Sequence, residues 1–199
     1  ITPTWRSYIA MPSVMGKSRP YNPNFKETDY FRIYNDLIHD QKLIETAKRT
    51  GYKLIYLLHP ITSAQLEDYG EVENVELIQA TTVNYEKILC ESSLMVTDYS
   101  GVQFDFAYMR KPVVYYHPPK LPPHYVEGGF FYDTQGFGEI CTEHKQLVDT
   151  ICDYMEHECK LKDYYTARQD DFFAYSDHDN CKRIFEDAIA YQKELAENR

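Results

Sequence analysis

Short apolar runs alternate along the chain with stretches whose apolar residues follow helical spacing. The apolar runs stand at residues 53–60, 75–79, 94–97, 113–116 and 138–141. Helical spacing predicts helices at residues 31–49, 63–69, 84–91 and 101–110. Strands without polar alternation are typical of parallel sheets that are covered on both faces. The pattern therefore predicts an α/β fold, with a Rossmann-like parallel sheet flanked by helices.

The boundaries of these elements carry their own signals. Gly51 ends the first predicted helix, and Pro112 precedes a strand. A loop rich in proline and glycine is predicted at 117–129, and the rest is mostly helical, with breaks near Glu158 and Tyr175. We find no internal repeat. The length of 199 residues predicts a single domain, residues 1–199. The chain begins ITPTWR, without an initiator methionine, and we expect it to be part of a longer protein.

The composition of the chain argues against several classes of function. The net charge of −10 argues against a nucleic-acid-binding domain, which would normally carry a basic face. The five cysteines are odd in number and form no CxxC pair, so we expect reduced thiols in a cytoplasmic protein. No apolar run is long enough to cross a bilayer. Membrane association is therefore expected only through the full-length protein, at the inner face of the cell membrane.

Polar side chains stand at the carboxyl ends of predicted strands, where open parallel sheets bind their ligands. His59 follows the strand at 53–60, and Asp98, Ser100 and Gly101 follow the strand at 94–97. A third polar end, residues 3–6, would follow a strand lying mostly before Ile1. We expect these groups to gather on one rim of the sheet.

Three features at or near that rim allow two interpretations each. Ser100 and Gly101 open a helix whose first amides suit a phosphate, although Ser100 could simply be an N-cap. Asp105 lies between Phe104 and Phe106 in an apolar helix, so we expect a buried carboxylate that needs a core partner or a ligand hydroxyl. His59 could be a core-edge histidine or could donate to a phosphate.

Other candidates are weaker. Asp177, His178 and Asp179 form a DxD pattern, but they precede a predicted helix that begins near Asn180, and Ser176 or Asp177 is expected to cap that helix. His117 and His124 flank the proline-rich loop without a metal-ligand spacing, and we predict no metal site. The sequence contains no GxSxG, GxxxxGK[ST] or HExxH motif.

Four stretches occur in a recognisable order: ITPTWR (1–6), LLHP (57–60), TDYSGVQFDFAYMRKPVVYY (97–116) and GGFFYD (128–133). Together they resemble the motifs A-P-T-(W/F)-R, R-x-H-P, T-D-Y-S-S-x-x-F-D-F-x-x-x-x-(K/R)-P-(I/V) and G-x-(F/Y)-(F/Y)-D of the CDP-glycerol glycerophosphotransferase family, the teichoic-acid primases and polymerases. The resemblance covers nearly the whole chain, and the central motif is long and specific.

The resemblance implies a GT-B arrangement of two Rossmann-like domains, of which this chain is the C-terminal, donor-binding half. The N-terminal acceptor domain would lie outside the chain. The family's donor-binding positions fall on Pro3, Thr4, His59, Ser100, Gly101 and Asp105, with Asp98 and Arg6 in support. His59 takes the place of the catalytic histidine of R-x-H-P. The expected donor is CDP-glycerol or CDP-ribitol, the acceptor is lipid-linked or polymeric, and no cofactor is expected.

Two departures from the family's motifs leave the identity of the donor open. Leu57 stands where the family usually has arginine, which removes a bidentate phosphate donor. Gly101 replaces the commoner second serine. One alternative is the donor domain of a GT-B nucleotide-sugar glycosyltransferase. A receiver-like binding module fits less well, because His59 and Pro60 stand where a receiver carries acidic residues.

Overall fold

The computed structural model of the protein describes residues 1–13, 19–79, 81–124 and 128–197. Its strands are β1 (Leu54–Leu58), β2 (Val75–Gln79), β3 (Met95–Thr97), β4 (Val113–Tyr116) and β5 (Ile140–Cys141). β1 pairs in parallel with β2, and β4 lies in parallel register between β3 and β5. The predicted parallel sheet is confirmed, and each predicted strand is present, three of them within narrower bounds.

The first residues of the chain join the two groups of strands. The Ile1 nitrogen donates to the Ile55 carbonyl at 2.7 Å, and the Ile1 carbonyl accepts from the Leu57 amide at 2.9 Å. On the other side, the Thr2 amide donates to the Val96 carbonyl of β3 at 2.8 Å. Residues 1–2 therefore lie between β1 and β3, as the sequence predicted for a strand ending there, and they bring the strand ends of both groups to one edge.

Helices cover both faces of this sheet. They are α1 (Asp29–Ile38), α2 (Gln41–Thr50), α3 (Tyr85–Glu91), α4 (Val102–Tyr108), α5 (Tyr132–Gln135), α6 (His144–Glu156), α7 (Asp163–Phe172) and α8 (Asn180–Glu197), with 3₁₀ helices at Phe25–Glu27 and Pro60–Tyr69. The predicted helices at 84–91 and 101–110 are confirmed as α3 and α4. The predicted breaks near Glu158 and Tyr175 are confirmed too, and Glu158 carries a positive φ angle between α6 and α7.

The predicted helix at 31–49 is wrong in one respect, since it is two helices. α1 ends at Ile38, and Asp40 begins α2 by accepting a hydrogen bond from the Leu43 amide at 3.0 Å. An aspartate side chain that satisfies a first-turn amide stabilises a new helix start, and periodicity alone does not register such a restart. Gly51 ends α2 with a left-handed φ of 81°, as predicted.

The short helix α5 was not predicted. Its bounds, Tyr132–Gln135, fall just after the proline- and glycine-rich loop, of which residues 125–127 lie outside the described residues. Arg168 of α7 donates to the carbonyls of Asp133 and Gly136 at 2.7 and 2.9 Å. These bonds join residues more than thirty positions apart, so local sequence carries little sign of them.

All five cysteines are free, as expected for reduced thiols. No helix among the described residues combines the length and the apolarity that a membrane span requires.

Candidate functional site

The strand ends form an open cleft on the predicted rim. Its volume is about 410 Å³, and it is lined by Thr2, Pro3, Leu57, Leu58, His59, Pro60, Tyr85, Ser100 and Val102. The cleft therefore brings together three of the residues that the sequence singled out, Pro3, His59 and Ser100. They come from three separate parts of the chain, which meet because parallel strands end at the same edge.

Asp98 is the buried acid of this region, with 1% of its surface exposed. Its Oδ1 accepts hydrogen bonds from the Thr4 and Tyr99 amides, both at 2.7 Å. Its Oδ2 accepts from Arg6 at 2.8 Å, in an ion pair whose side chains are 5% and 2% exposed. A buried carboxylate with this many donors is fully compensated. Asp98 thus ties the N-terminal segment to the end of β3.

Thr4 and Arg6 both donate hydrogen bonds to Asp98, and neither lines the cleft. Arg6 also donates to the carbonyls of Thr4 and Trp5 at 2.9 and 3.3 Å, which fixes the turn that follows Pro3. The Thr4 Oγ1 is buried without a hydrogen-bond partner among the described residues. The Thr4 amide bond to Asp98 fixes the backbone next to Pro3.

His59 lies at the mouth of the cleft and begins the 3₁₀ helix that follows β1. Its Nδ1 accepts a hydrogen bond from the Ile61 amide at 3.2 Å, so the neutral ring carries its proton on Nε2. Burial lowers the pKa of His59 below its ordinary value. The ring is therefore uncharged at neutral pH, with Nε2–H as its donor.

Ser100 is half-buried on the cleft wall, and its hydroxyl is weakly engaged. The Val102 amide lies 3.5 Å from the Ser100 Oγ, a long contact for an N-cap bond. Gly101 occupies the cap position of α4 with an ordinary φ of −61°, and a Cβ there would meet open space. The backbone conformation does not require glycine at 101, so serine, the family's usual residue, would fit.

The expected burial of Asp105 is wrong, because its side chain is exposed. α4 buries Gln103, Phe106 and Ala107, which share one face at i, i+3 and i+4. Asp105 falls on the opposite face, outside the residues that line the cleft. The buried polar residue of α4 is Gln103, which accepts from the Tyr115 hydroxyl at 2.6 Å.

Two residues at this edge received no place in the site from the sequence, although His117 was considered there as a metal ligand. Tyr85, the first residue of α3, lines the cleft. His117 follows β4, where its Nε2 lies 3.0 Å from the Asp98 carbonyl and its ring stacks on Tyr99 at 4.3 Å between centroids. Burial lowers the pKa of His117, and the hydrogen bond to Asp98 opposes that shift. The position of His117 directly after a strand was the available signal.

The described residues that line the cleft include few ionisable side chains. None of the described residues that line it is lysine or arginine, and Leu57 contributes an apolar side chain where the family usually has arginine. Within the described ranges, no group of three His, Cys, Asp or Glu side chains is arranged to hold a metal ion. Asp177 pairs with Arg183 of α8 at 2.7 Å and accepts at 2.9 Å from the amide of Asp179, one residue before α8 begins at Asn180.

Comparison with known proteins identifies related chains. Residues 1–189 match the family described as CDP-Glycerol:Poly(glycerophosphate) glycerophosphotransferase. The chain is 41% identical over 186 residues to the minor teichoic acid biosynthesis protein GgaB of Bacillus subtilis strain 168, covering 93% of this chain and 20% of that protein. It is 21% identical over 182 residues to the teichoic acid poly(glycerol phosphate) polymerase of Bacillus spizizenii, covering 85% of this chain and 43% of that protein.

A solved structure has the same fold. The wall teichoic acid polymerase TagF aligns over 99% of this chain and 43% of its own, with a TM-score of 0.57 and 22% sequence identity. The α/β fold class predicted from the sequence is confirmed by this likeness and by the parallel strands. In each of these comparisons the chain spans less than half of the other protein's length.

Proposed function

This chain belongs to the CDP-glycerol:poly(glycerophosphate) glycerophosphotransferase family, and from that membership we propose that it is the donor-binding domain of an enzyme that transfers a polyol phosphate during teichoic-acid synthesis. The donor is CDP-glycerol or a related CDP-polyol such as CDP-ribitol. The acceptor is a hydroxyl of a lipid-linked or polymeric chain. Residues 1–199 form one domain, the C-terminal half of a GT-B arrangement, and the enzyme works at the inner face of the cell membrane.

The observation that carries this proposal is the convergence of Pro3, His59 and Ser100 on one cleft. They come from three of the four motifs that resemble the family's, and those motifs stand far apart along the chain. Their meeting at one edge of the sheet supports a shared ligand site. Asp98 and Arg6 support the site by fixing the turn that carries Pro3.

The chemistry follows from the donor. The oxygen of the acceptor hydroxyl attacks the β-phosphorus of the CDP-polyol, a new P–O bond forms, and the P–O bond to CMP breaks. CMP leaves with the electron pair of that bond, and the hydroxyl proton passes to a base outside this chain. His59 donates through Nε2–H to the pyrophosphate oxygen on which charge grows, while Ser100 and the amides at Ser100 and Gly101 hold the pyrophosphate.

Nucleotide binding gives the direct test. CDP at 100 times its Kd should stabilise the protein by about 2.7 kcal/mol, because only the folded state binds it. For a chain of this size that corresponds to a rise in melting temperature of roughly 5–10 °C. UDP is the matched control in a thermal-shift titration. Equal stabilisation by UDP would favour the nucleotide-sugar alternative, and no response to either nucleotide would contradict the proposal.

Asp105 is proposed to accept hydrogen bonds from donor hydroxyls at the edge of the cleft. Asp105 does not line the cleft, but its charge raises the pKa of Tyr85, a lining residue, and this electrostatic influence supports the proposal. Asp105→Asn should weaken CDP-glycerol binding by about 1–3 kcal/mol and leave the melting temperature unchanged, because the side chain is exposed. Isothermal titration and thermal melts measure both. Glu45→Gln, an exposed acid on α2, is the control, and unchanged affinity in Asp105→Asn would exclude the contact.

A further inference from the structure

Tyr85 occupies a fixed position on the wall of the cleft. It is the first residue of α3, and Asn84 caps that helix by accepting from the Lys87 amide at 2.9 Å. Its side chain is half-buried and lines the cleft together with Ser100 and His59. The cap fixes the backbone that carries Tyr85, and the Thr2 side chain is a hydrogen-bond partner of its hydroxyl, so Tyr85 presents an aromatic surface to the cleft.

The walls around Tyr85 suit a flat, uncharged group. Leu57 and Val102 supply apolar surface, and the described lining residues include no lysine or arginine. Aromatic rings in apolar surroundings pack well against nucleobases, since every base has a polarisable face. A phosphate alone would gain little from that surface.

The Tyr85 hydroxyl stays neutral and has a partner. Burial raises the pKa of Tyr85, the Thr2 side chain lowers it as a hydrogen-bond partner, and the charge of Asp105 raises it further. A phenol can accept one hydrogen bond while it donates another. If Thr2 donates to it, the Tyr85 proton is available to a ligand.

On the basis of the proposed function, we propose that Tyr85 contacts the nucleoside of the donor, with its ring packed against the ribose and base. The ring sets the preference for a nucleotide over a bare pyrophosphate. This assigns the nucleoside part of the donor to the α3 side of the cleft, opposite the residues that hold the pyrophosphate. Tyr85 is then a specificity-determining residue in a segment that none of the motifs includes.

The test compares a nucleotide probe with a probe that lacks the nucleoside. In the intact protein, Tyr85→Ala should raise the Kd for CDP by at least tenfold, the effect of losing about 1.4 kcal/mol of base stacking. The Kd for inorganic pyrophosphate should stay within about threefold, since His59 and Ser100 remain. Tyr85→Phe, which keeps the ring, should bind CDP within about threefold of wild type. Isothermal titration measures all three.

Two controls separate a ligand contact from a structural role. Tyr85→Leu keeps apolar volume without an aromatic face and should also lose CDP affinity, which covers the case in which Tyr85→Ala does not fold. Tyr191→Ala, on the exposed face of α8, should change neither Kd. Equal losses for CDP and pyrophosphate, a loss in Tyr85→Phe as large as in Tyr85→Ala, or unchanged CDP binding would each overturn the inference. A wild-type protein that binds no CDP would overturn the proposed function together with it.

Discussion

Replacing Asp98 with alanine should destabilise the protein by about 3–5 kcal/mol, the cost of leaving one member of a buried ion pair alone. Arg6 would keep its charge in a site where its side chain is only 5% exposed. The Thr4 and Tyr99 amides would lose their shared acceptor as well. The large effect is expected because all three donors depend on one carboxylate.

Chemical denaturation of Asp98→Ala, with Asp105→Ala as its control, tests this prediction. Asp105→Ala, seven positions along the chain in an exposed site, should change the free energy of unfolding by less than about 0.5 kcal/mol. The melting temperature should fall by roughly 6–20 °C in Asp98→Ala and stay nearly constant in the control. A loss below about 1 kcal/mol in Asp98→Ala would show that the ion pair does not hold the N-terminal segment.

Replacing His59 with alanine should lower turnover of the intact enzyme by about 10²–10³-fold, as is typical when one charge-stabilising donor is lost. His59 lines the cleft with Ser100, and its Nδ1 is already engaged by the Ile61 amide. Under the proposed function, its Nε2–H is the group that would donate to the pyrophosphate. Donor affinity should fall less than turnover, because negative charge grows on the way to the transition state.

Steady-state kinetics and donor titration should be run on His59→Ala and His59→Gln. Glutamine can still donate a hydrogen bond and should recover part of the turnover. His157→Ala, an exposed histidine just after α6, is the matched control and should leave kcat unchanged. If His59→Ala keeps turnover within about threefold of wild type, less than 1 kcal/mol of barrier, His59 is only a core-edge residue.

The order of the residues is enough to predict the fold class and the edge of the sheet where the candidate cleft lies. Unbroken apolar runs such as β1 and β4 reveal strands covered on both faces, and glycine at 51 reveals a helix end, because each depends on neighbouring residues alone. The polar residues that follow β1 and β3 had to meet at one rim, since parallel strands share a direction. His59 and Ser100 could be chosen on that ground from the sequence.

Which acid is buried, by contrast, depends on how the elements pack in three dimensions. From the sequence, Asp105 lies between two phenylalanines and Asp98 merely ends a strand, yet Asp98 is buried and Asp105 is exposed. The helical turn of α4 places Asp105 opposite the buried face that Gln103, Phe106 and Ala107 form. Arg6, 92 residues before Asp98, supplies the countercharge. Tyr85 likewise reaches the cleft only because α3 packs beside residues 1–2. Contacts between distant segments arise from the packing of whole elements, and the immediate neighbours of a residue in the sequence do not reveal them.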